Sequence, residues 1–415
     1  MLDRKKPELL MPASSLEVLK TAIVYGADAV YIGGEMYGLR AKAKNFSMQE
    51  MQEGIEYAHA HGKKVYVTAN ITAHNRDLAG VKEYFAKLAA FPQGTVPDAL
   101  IISDPGVFEI AQETVPDIDV HISTQANNVN YRTLCFWHKL GASRVVTARE
   151  LSLAEIAGLR ANIPEELEIE TFIHGAMCIS YSGRCLLSNY FTGRDANLGA
   201  CTHPCRWKYY LMEETRPGEY LPVFENDRGT YIFNSKDLCM IEYIPELVAA
   251  GIDSFKVEGR MKTALYVAAV ARTYRRAIDD FFRSEELYRK NLSYYREEIA
   301  KCTYRQYTTG FFFQKPSKDD QIYDNNTYVK DYKYLGIVRS VKDGWCEMEQ
   351  RNKFSVGDQA EAMEFQGGNI PLKVLEIKDE EGNPMESCPH PQQKIFVRFD
   401  KELCENELVR QKEPD

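Results

Sequence analysis

Over its first two thirds the chain alternates short apolar runs with amphipathic helical patterns, and few folds admit that alternation. Strand-like runs fall at Glu8–Pro12, Ala29–Gly33, Lys64–Asn70, Ala99–Asp104, Val120–Gln125, Arg144–Thr147 and Leu167–His174. Helical patterns such as Leu16–Tyr25, Met48–His61 and Leu78–Phe91 lie between them, several closed by a glycine, as at Gly26, Gly62 and Gly141. Apolar strands linked by helices form a parallel sheet covered on both faces. Two further runs, Tyr231–Ser235 and Ser254–Glu258, make nine, one more than a closed β/α barrel takes. One is therefore expected outside the ring, in a hairpin around Lys208–Ser235. An open doubly wound sheet is disfavoured, because no run leads into a Gly-x-Gly-x-x-Gly turn. The expected fold class is α/β: a TIM-like barrel with a cysteine-rich insertion, a helical extension and a small C-terminal all-β barrel.

At 415 residues, two or three domains are expected. The barrel with its cysteines is assigned to residues 1–262 and a helical extension and linker to 263–331. The small β domain is assigned to 332–415, on strand runs Leu335–Ser340, Trp345–Met348, Lys373–Ile377 and Lys394–Phe399 with turn signals at Asp343-Gly344 and Glu381–Pro384. The apolar share of 44% and charged share of 27% are those of a soluble globular chain. No stretch reaches the roughly 18 uncharged apolar residues of a membrane span, so no membrane partner is expected. Met1–Pro7 is charged with no apolar segment behind it, which points to the cytoplasm. A net charge of −9 argues against general nucleic-acid coating but permits a local basic face.

Cysteine is distributed unevenly. Five of the ten, Cys178, Cys185, Cys201, Cys205 and Cys239, fall within 62 positions. In a reducing compartment such density speaks for metal or redox chemistry rather than disulfides. The remaining Cys135, Cys302, Cys346, Cys388 and Cys404 are scattered and read as buried or incidental thiols. Cys178 and Cys185 follow a strand run at the end where a barrel carries its active site. A zinc ribbon shows two close Cys pairs. This chain has one such pair, Cys201-Thr-His-Pro-Cys205, with singletons around it, which suits an iron–sulfur cluster better. Zinc and unligated thiols stay open as alternatives.

Other polar residues end strand runs. His174 could serve as a general acid or orient a substrate, or it could be a satisfied histidine of the barrel mouth. Glu258 and Arg260, with Lys256, close the last run and read as catalytic or substrate-binding, against the alternative of a structural ion pair. Gln125 and Asn127, with Asn128, could read a base edge or a donor's oxygens, or simply make a turn. Residues 272–318 hold 11 Lys/Arg against 6 Asp/Glu with tyrosines interleaved, a pattern of either RNA contact or an amphipathic helix with a tyrosine core.

The run Glu170–Cys185 resembles the signature of the U32 family, the so-called collagenase-like peptidases. Pro12-Ala-Ser, Gly33-Gly34, Ser123–Asn128, Asn234–Cys239 and Lys256–Lys262 support the likeness, which extends from Pro7 to about Gln314. The tail resembles the C-terminal β domain of the family's longer members. The resemblance implies a TIM-like barrel with an oxygen-sensitive 4Fe–4S cluster and oxygen-independent hydroxylation, of RNA in some members and of a quinone precursor in others. Members of this length and tail make 5-hydroxyuridine at the tRNA wobble position, with prephenate implicated as hydroxyl donor. By motif position the implied metal ligands are Cys178, Cys185, Cys201 and Cys239, with Cys205 a fifth candidate. Prephenate is a dicarboxylate, which makes Arg260 and Arg40 the candidate clamps. The implied partners are the tRNA anticodon loop and the small dicarboxylate.

Two other readings stand beside this one. A peptidase would use Cys178 or Ser182 as nucleophile with His174 or another base. Companion cysteines are superfluous for that chemistry, and no Gly-x-Ser-x-Gly elbow or His-Glu-x-x-His motif is present. An iron–sulfur accessory subunit, working with a protein partner or as a homo-oligomer, is the third.

Overall fold

The computed structural model describes residues 5–38, 45–178, 180–181, 184–206, 210–211, 221–222, 234–315, 321–322 and 328–413. Eight of the nine expected runs close a ring. β1 (Glu8–Pro12), β2 (Ala29–Gly33), β3 (Lys64–Ala69), β4 (Ala99–Ile102), β5 (Asp119–Ile122), β6 (Arg144–Val146), β7 (Glu168–Ala176) and β8 (Ser254–Val257) pair in parallel in that order, and β8 returns to β1. These strands are buried along nearly their whole length, because helices cover the outside and side chains fill the inside. Serine or aspartate starts many of the outer helices. Ser15, Ser47, Asp104 and Ser152 each accept a hydrogen bond from a first-turn N–H, and Glu50 and Glu155 complete reciprocal caps.

The ninth run lies outside the ring, as expected. Asn234–Ser235 pairs antiparallel with Gln321–Ile322, while Tyr231–Phe233 falls outside the described residues. Tyr210–Leu211 pairs antiparallel with Leu221–Pro222 in the anticipated hairpin region. Two short strands were not legible: Asp237–Cys239 runs antiparallel on β7, and Tyr307–Thr308 is its parallel neighbour. Two or three residues are too few for a period-two pattern to register.

The barrel interior combines an apolar layer (Leu10, Tyr31, Tyr66 and Ile101 with Ala29 and Ala99) and a buried ionic set. Arg144 reaches Glu8 and Glu168 at 2.6 Å each and Glu170 at 3.0 Å, and Lys256 Nζ lies 2.5 Å from Glu170. Burial alone would raise the Glu8 carboxyl. The Arg144 guanidinium outweighs it and holds the group below its usual range.

The C-terminal unit is a closed antiparallel barrel of six strands. β9 (Tyr332–Lys342), β10 (Trp345–Gln350), β11 (Gln359–Met363), β12 (Asn369–Lys378), β13 (Lys394–Phe399) and β14 (Leu408–Lys412) close in the order β11-β14-β9-β10-β13-β12, with β12 back on β11. The two strands unread in the sequence, β11 and β14, carry weak apolar signals: the alternating apolar positions of Gln-Ala-Glu-Ala-Met are alanines, and Leu408–Lys412 is apolar only at its start.

This barrel docks on the outer helices. Tyr25 Oη donates to Met363 O at 2.9 Å and accepts from Leu408 N at 3.1 Å. Glu298, on the helix Leu292–Ile299, takes Arg272 at 2.6 Å and Arg410 at 2.8 Å. Burial would raise the Glu298 carboxyl, yet Arg410, then Lys301 and Arg272, bring it down to about 2. Of the two readings of the basic, tyrosine-rich stretch, the amphipathic helix with a tyrosine core is the one that forms. Tyr274, Tyr288 and Tyr295 are fully buried, and Arg275 and Arg289 pair with Asp279 and Glu285 on their own helices. Among the described residues no helix is long and apolar enough to cross a membrane.

Candidate active site

A cavity of about 370 Å³ opens at the C-terminal ends of the ring strands. Two groups of side chains line it. One comes from strand ends: Thr68, Gln125, Arg149, Lys256, Glu258, Arg260 and Lys262. The other is Cys178, Cys185, Cys201 and Cys205.

The strand-end group is rigidly held. Arg260 is 4% exposed, with Nη1 donating to Thr68 Oγ1 at 3.2 Å and Nη2 to Asn45 Oδ1 at 3.1 Å. Gly33 makes room for it, since a Cβ there would stand 2.2 Å from Arg260 Nη2. Glu258 accepts from Arg149 Nη2 at 3.1 Å, and its backbone N–H donates to His174 O at 2.9 Å. Its carbonyl accepts from Tyr266 Oη at 2.9 Å and lies against Gly175 (φ +108), where a Cβ would approach it to 2.4 Å. Arg149 also donates to Ala176 O at 2.8 Å and stacks its guanidinium 3.9 Å from the Phe172 ring centre. Lys256 is committed to Glu170 beneath the cavity. Four cations face one carboxylate, Glu258, among the lining residues, so the cavity favours an anion.

The cysteine group rides on short turns. Cys185 precedes the helix Leu187–Thr192, Cys201 follows the 3-10 turn Ala196–Leu198, and Cys205 sits in the turn Pro204–Arg206. The first two segments are tied together by Ser188 and Thr202, whose N–H and hydroxyl both meet Ser188 Oγ at 3.0 Å. Burial pushes the Cys185 thiol up, and the neighbouring Cys178 and Cys201 add to the shift. Cys178 is exposed, and Cys201 Sγ accepts from His203 N at 3.4 Å.

Among the described residues no three His, Cys, Asp or Glu side chains are close enough to share one ion. A single zinc needs four donors at about 2.0–2.3 Å from one point. An iron–sulfur cluster bound by four cysteines spreads its thiolates over several metal atoms. Four soft donors, Cys178, Cys185, Cys201 and Cys205, line one cavity, a donor set whose chemistry fits a thiolate-bound metal centre.

The structure places the remaining expected residues as follows. Gln125 lines the cavity, but Asn127 does not: it is the left-handed residue (φ 56) ending the turn Thr124–Ala126, with Nδ2 donating to Gln125 O. Asn128 is buried, donating to Ser123 O and Val146 O. His174 is corrected from an acid of the site to a core histidine. It is 1% exposed and ringed by Tyr266, Tyr274 and Tyr307, and burial brings its imidazole down to about 3, so it is neutral near pH 7. Cys239 is absent from the cavity lining; its Sγ lies 3.9 Å from Tyr274 Oη, and burial pushes its thiol up to about 12. Arg40 and Ser182 lie outside the described residues. Arg149 and Thr68 were missed, although Arg149 follows the Arg144–Thr147 run at the end where barrel sites form.

Comparison with known proteins gives matches along nearly the whole chain. The profile of Peptidase family U32 matches residues 14–322, and that of the Peptidase family U32 C-terminal domain matches 330–410. The chain is 40% identical to tRNA hydroxylation protein P1 of Bacillus subtilis, over 98% of this chain and 95% of the relative. It is 39% identical to tRNA hydroxylation protein P of Escherichia coli, over 92% of each. It is 36% identical to a 23S rRNA 5-hydroxycytidine synthase of Escherichia coli, over 66% of this chain and 39% of that one.

Proposed function

Because the chain belongs to Peptidase family U32, and its relatives carry the names of RNA hydroxylases, we propose that it is an RNA-modifying hydroxylase. In its finer form the proposal is conversion of the tRNA wobble uridine to 5-hydroxyuridine without molecular oxygen, with prephenate as hydroxyl donor. The observation that carries it is the meeting of four cysteines and a cationic strand-end group in one cavity at the barrel mouth.

Cys178, Cys185 and Cys201 would hold a 4Fe–4S cluster, with the fourth ligand from Cys205, which lines the cavity, or Cys239, which does not. When bound, such a cluster supplies electron transfer or Lewis acidity beside the substrate. The polypeptide binds and orients. Arg260, fixed by Thr68 and Asn45, and Arg149, fixed by Glu258 and Ala176, stand ready for a donor's carboxylates. The exchange balances without an outside oxidant. The base loses its C5 hydrogen and gains the donor's hydroxyl, a two-electron oxidation, while the donor gains hydrogen in place of hydroxyl and is reduced by two electrons.

The peptidase reading loses His174 as its base, since that residue is buried among tyrosines and does not line the cavity. Digests of tRNA from a strain lacking the gene test the proposal. The wobble hydroxyl and derivatives built on it are expected to vanish and to return with the wild-type gene. Their persistence in the deletion strain would refute it.

A further inference from the structure

The rim of the cavity carries a feature that the chemistry above leaves unused. Of the 15 exposed large apolar residues among those described, four (Tyr181, Leu186, Tyr190 and Phe191) fall within residues 181–191. Tyr190 is 83% exposed and Phe191 42%, their ring centres 5.2 Å apart in an edge-on arrangement. They project from the helix Leu187–Thr192, whose first residue lines the cavity, as does Tyr181. Burying these rings elsewhere would be the ordinary outcome of folding, since each forgoes transfer free energy by staying in water.

Arg184 and Arg194 flank the same helix, both exposed, and neither forms an ion pair among the described residues. Many other arginines of this chain do find carboxylates, as Arg160, Arg275, Arg289, Arg296 and Arg398 do. A chain of net charge −9 thus keeps two uncompensated cations around exposed aromatic rings, immediately beside its anion-favouring cavity. Aromatic faces interleaved with guanidinium groups are the surface that single-stranded nucleic acid takes: bases stack on the rings and phosphates meet the arginines.

Resting on the RNA-hydroxylase reading, we propose that the segment Arg184–Arg194 is the docking rim for the unpaired loop of the substrate RNA. A base next to the target stacks on Tyr190, and Arg184 and Arg194 hold the flanking phosphates, while the target nucleotide enters the cavity past Leu187. This rim replaces the 272–318 face that the composition suggested and the core absorbed.

The test uses the full-length protein purified without oxygen, and fluorescence anisotropy with an unmodified anticodon stem-loop RNA. Tyr190→Ala is expected to weaken binding roughly ten-fold or more, and Tyr190→Phe to bind nearly as wild type, because stacking needs the ring and not the hydroxyl. Arg184→Ala with Arg194→Ala is expected to lower the slope of log affinity against log salt by about 1.4, two contacts at roughly 0.7 each. Iron content and melting temperature are expected to hold in all three, since the side chains are exposed. Equal stem-loop affinity in wild type and Tyr190→Ala, with an unchanged salt slope in the arginine pair, overturns the docking rim and leaves the hydroxylase reading standing. A wild-type protein that neither binds nor modifies tRNA overturns that reading itself. Loss in Tyr190→Ala of binding to a protein partner, with stem-loop binding intact, assigns the rim to that partner and also overturns the proposal.

Discussion

The two groups of side chains that share the cavity are held in unlike ways. The strand-end group is fixed by the barrel. Arg260 and Lys256 are each 4% exposed, Arg149, Arg260 and Lys256 hold the protein acceptors described above, Lys262 donates to Thr303 O at 3.3 Å, and Gly33 and Gly175 let backbone and guanidinium approach. Of the cysteine group, Cys178 lies exposed just past β7, and Cys185, Cys201 and Cys205 sit half-buried on or beside short helical turns. The contrast teaches a division of labour. The barrel pre-organises the strand-end charges, and under the proposed function the cysteines would take their final arrangement from a bound cluster. Changes to the first group should therefore register in folding, and changes to the second in metal content.

The largest effect is expected below the cavity. Arg144→Ala strands Glu8 without its cation, leaves Glu170 to Lys256 alone, and should cost roughly 3–5 kcal/mol or abolish folding, read by urea unfolding. The same logic applies to the domain contact. Glu298→Gln should destabilise by about 3 kcal/mol, read as separate melting of the two barrels, because Arg272 loses its carboxylate and Arg410 keeps only Glu361. The Glu298 carboxyl titrates lower in the folded chain, about 2, than its ordinary 4.5. Its contribution is thus complete above pH 4.5 and drains away as pH falls toward 2, so acid should part the domains in wild type and matter less in the Gln variant.

Gly33→Ala should be intermediate in stability, about 1–3 kcal/mol, but severe for turnover, on the order of a hundred-fold, because the new methyl displaces the Arg260 guanidinium. The smallest stability change belongs to the cysteines. Cys178→Ser should alter unfolding of the metal-free chain by no more than about 0.5 kcal/mol while stripping iron from the anaerobic preparation. A Cys178→Ser protein that unfolds as readily as Arg144→Ala would erase the contrast. Comparing iron in Cys205→Ser and Cys239→Ser then assigns the fourth ligand.

Much of the barrel was legible because its strands are apolar on both faces and regularly spaced. Glu8–Pro12 and Ala29–Gly33 match the expected runs residue for residue, and the closing strand Ser254–Val257 fell one residue short. What escaped were elements whose stability comes from partners distant in sequence: Asp237–Cys239, laid on β7, and β11 and β14, which close the small barrel. The site divided the same way. Glu258, Arg260 and the cysteines Cys178, Cys185 and Cys201 announced themselves by position. His174 did not reveal itself as core, because the three tyrosines around it come from helix Ala264–Arg283 and strand Tyr307–Thr308. For Asn127 the sequence left base reading and turn chemistry both open, and its left-handed φ of 56 decides for the turn. Arg149 went unread because its role depends on Glu258, 109 positions away.

The central claim is that cysteines and strand-end cations act together on RNA. It is tested most directly by incubating anaerobically purified protein with hydroxyl-free tRNA and prephenate, then weighing the wobble nucleoside by mass spectrometry. The account predicts a uridine heavier by one oxygen with wild type and none with Cys178→Ser or Arg260→Ala. Full hydroxylation by both variants would contradict it.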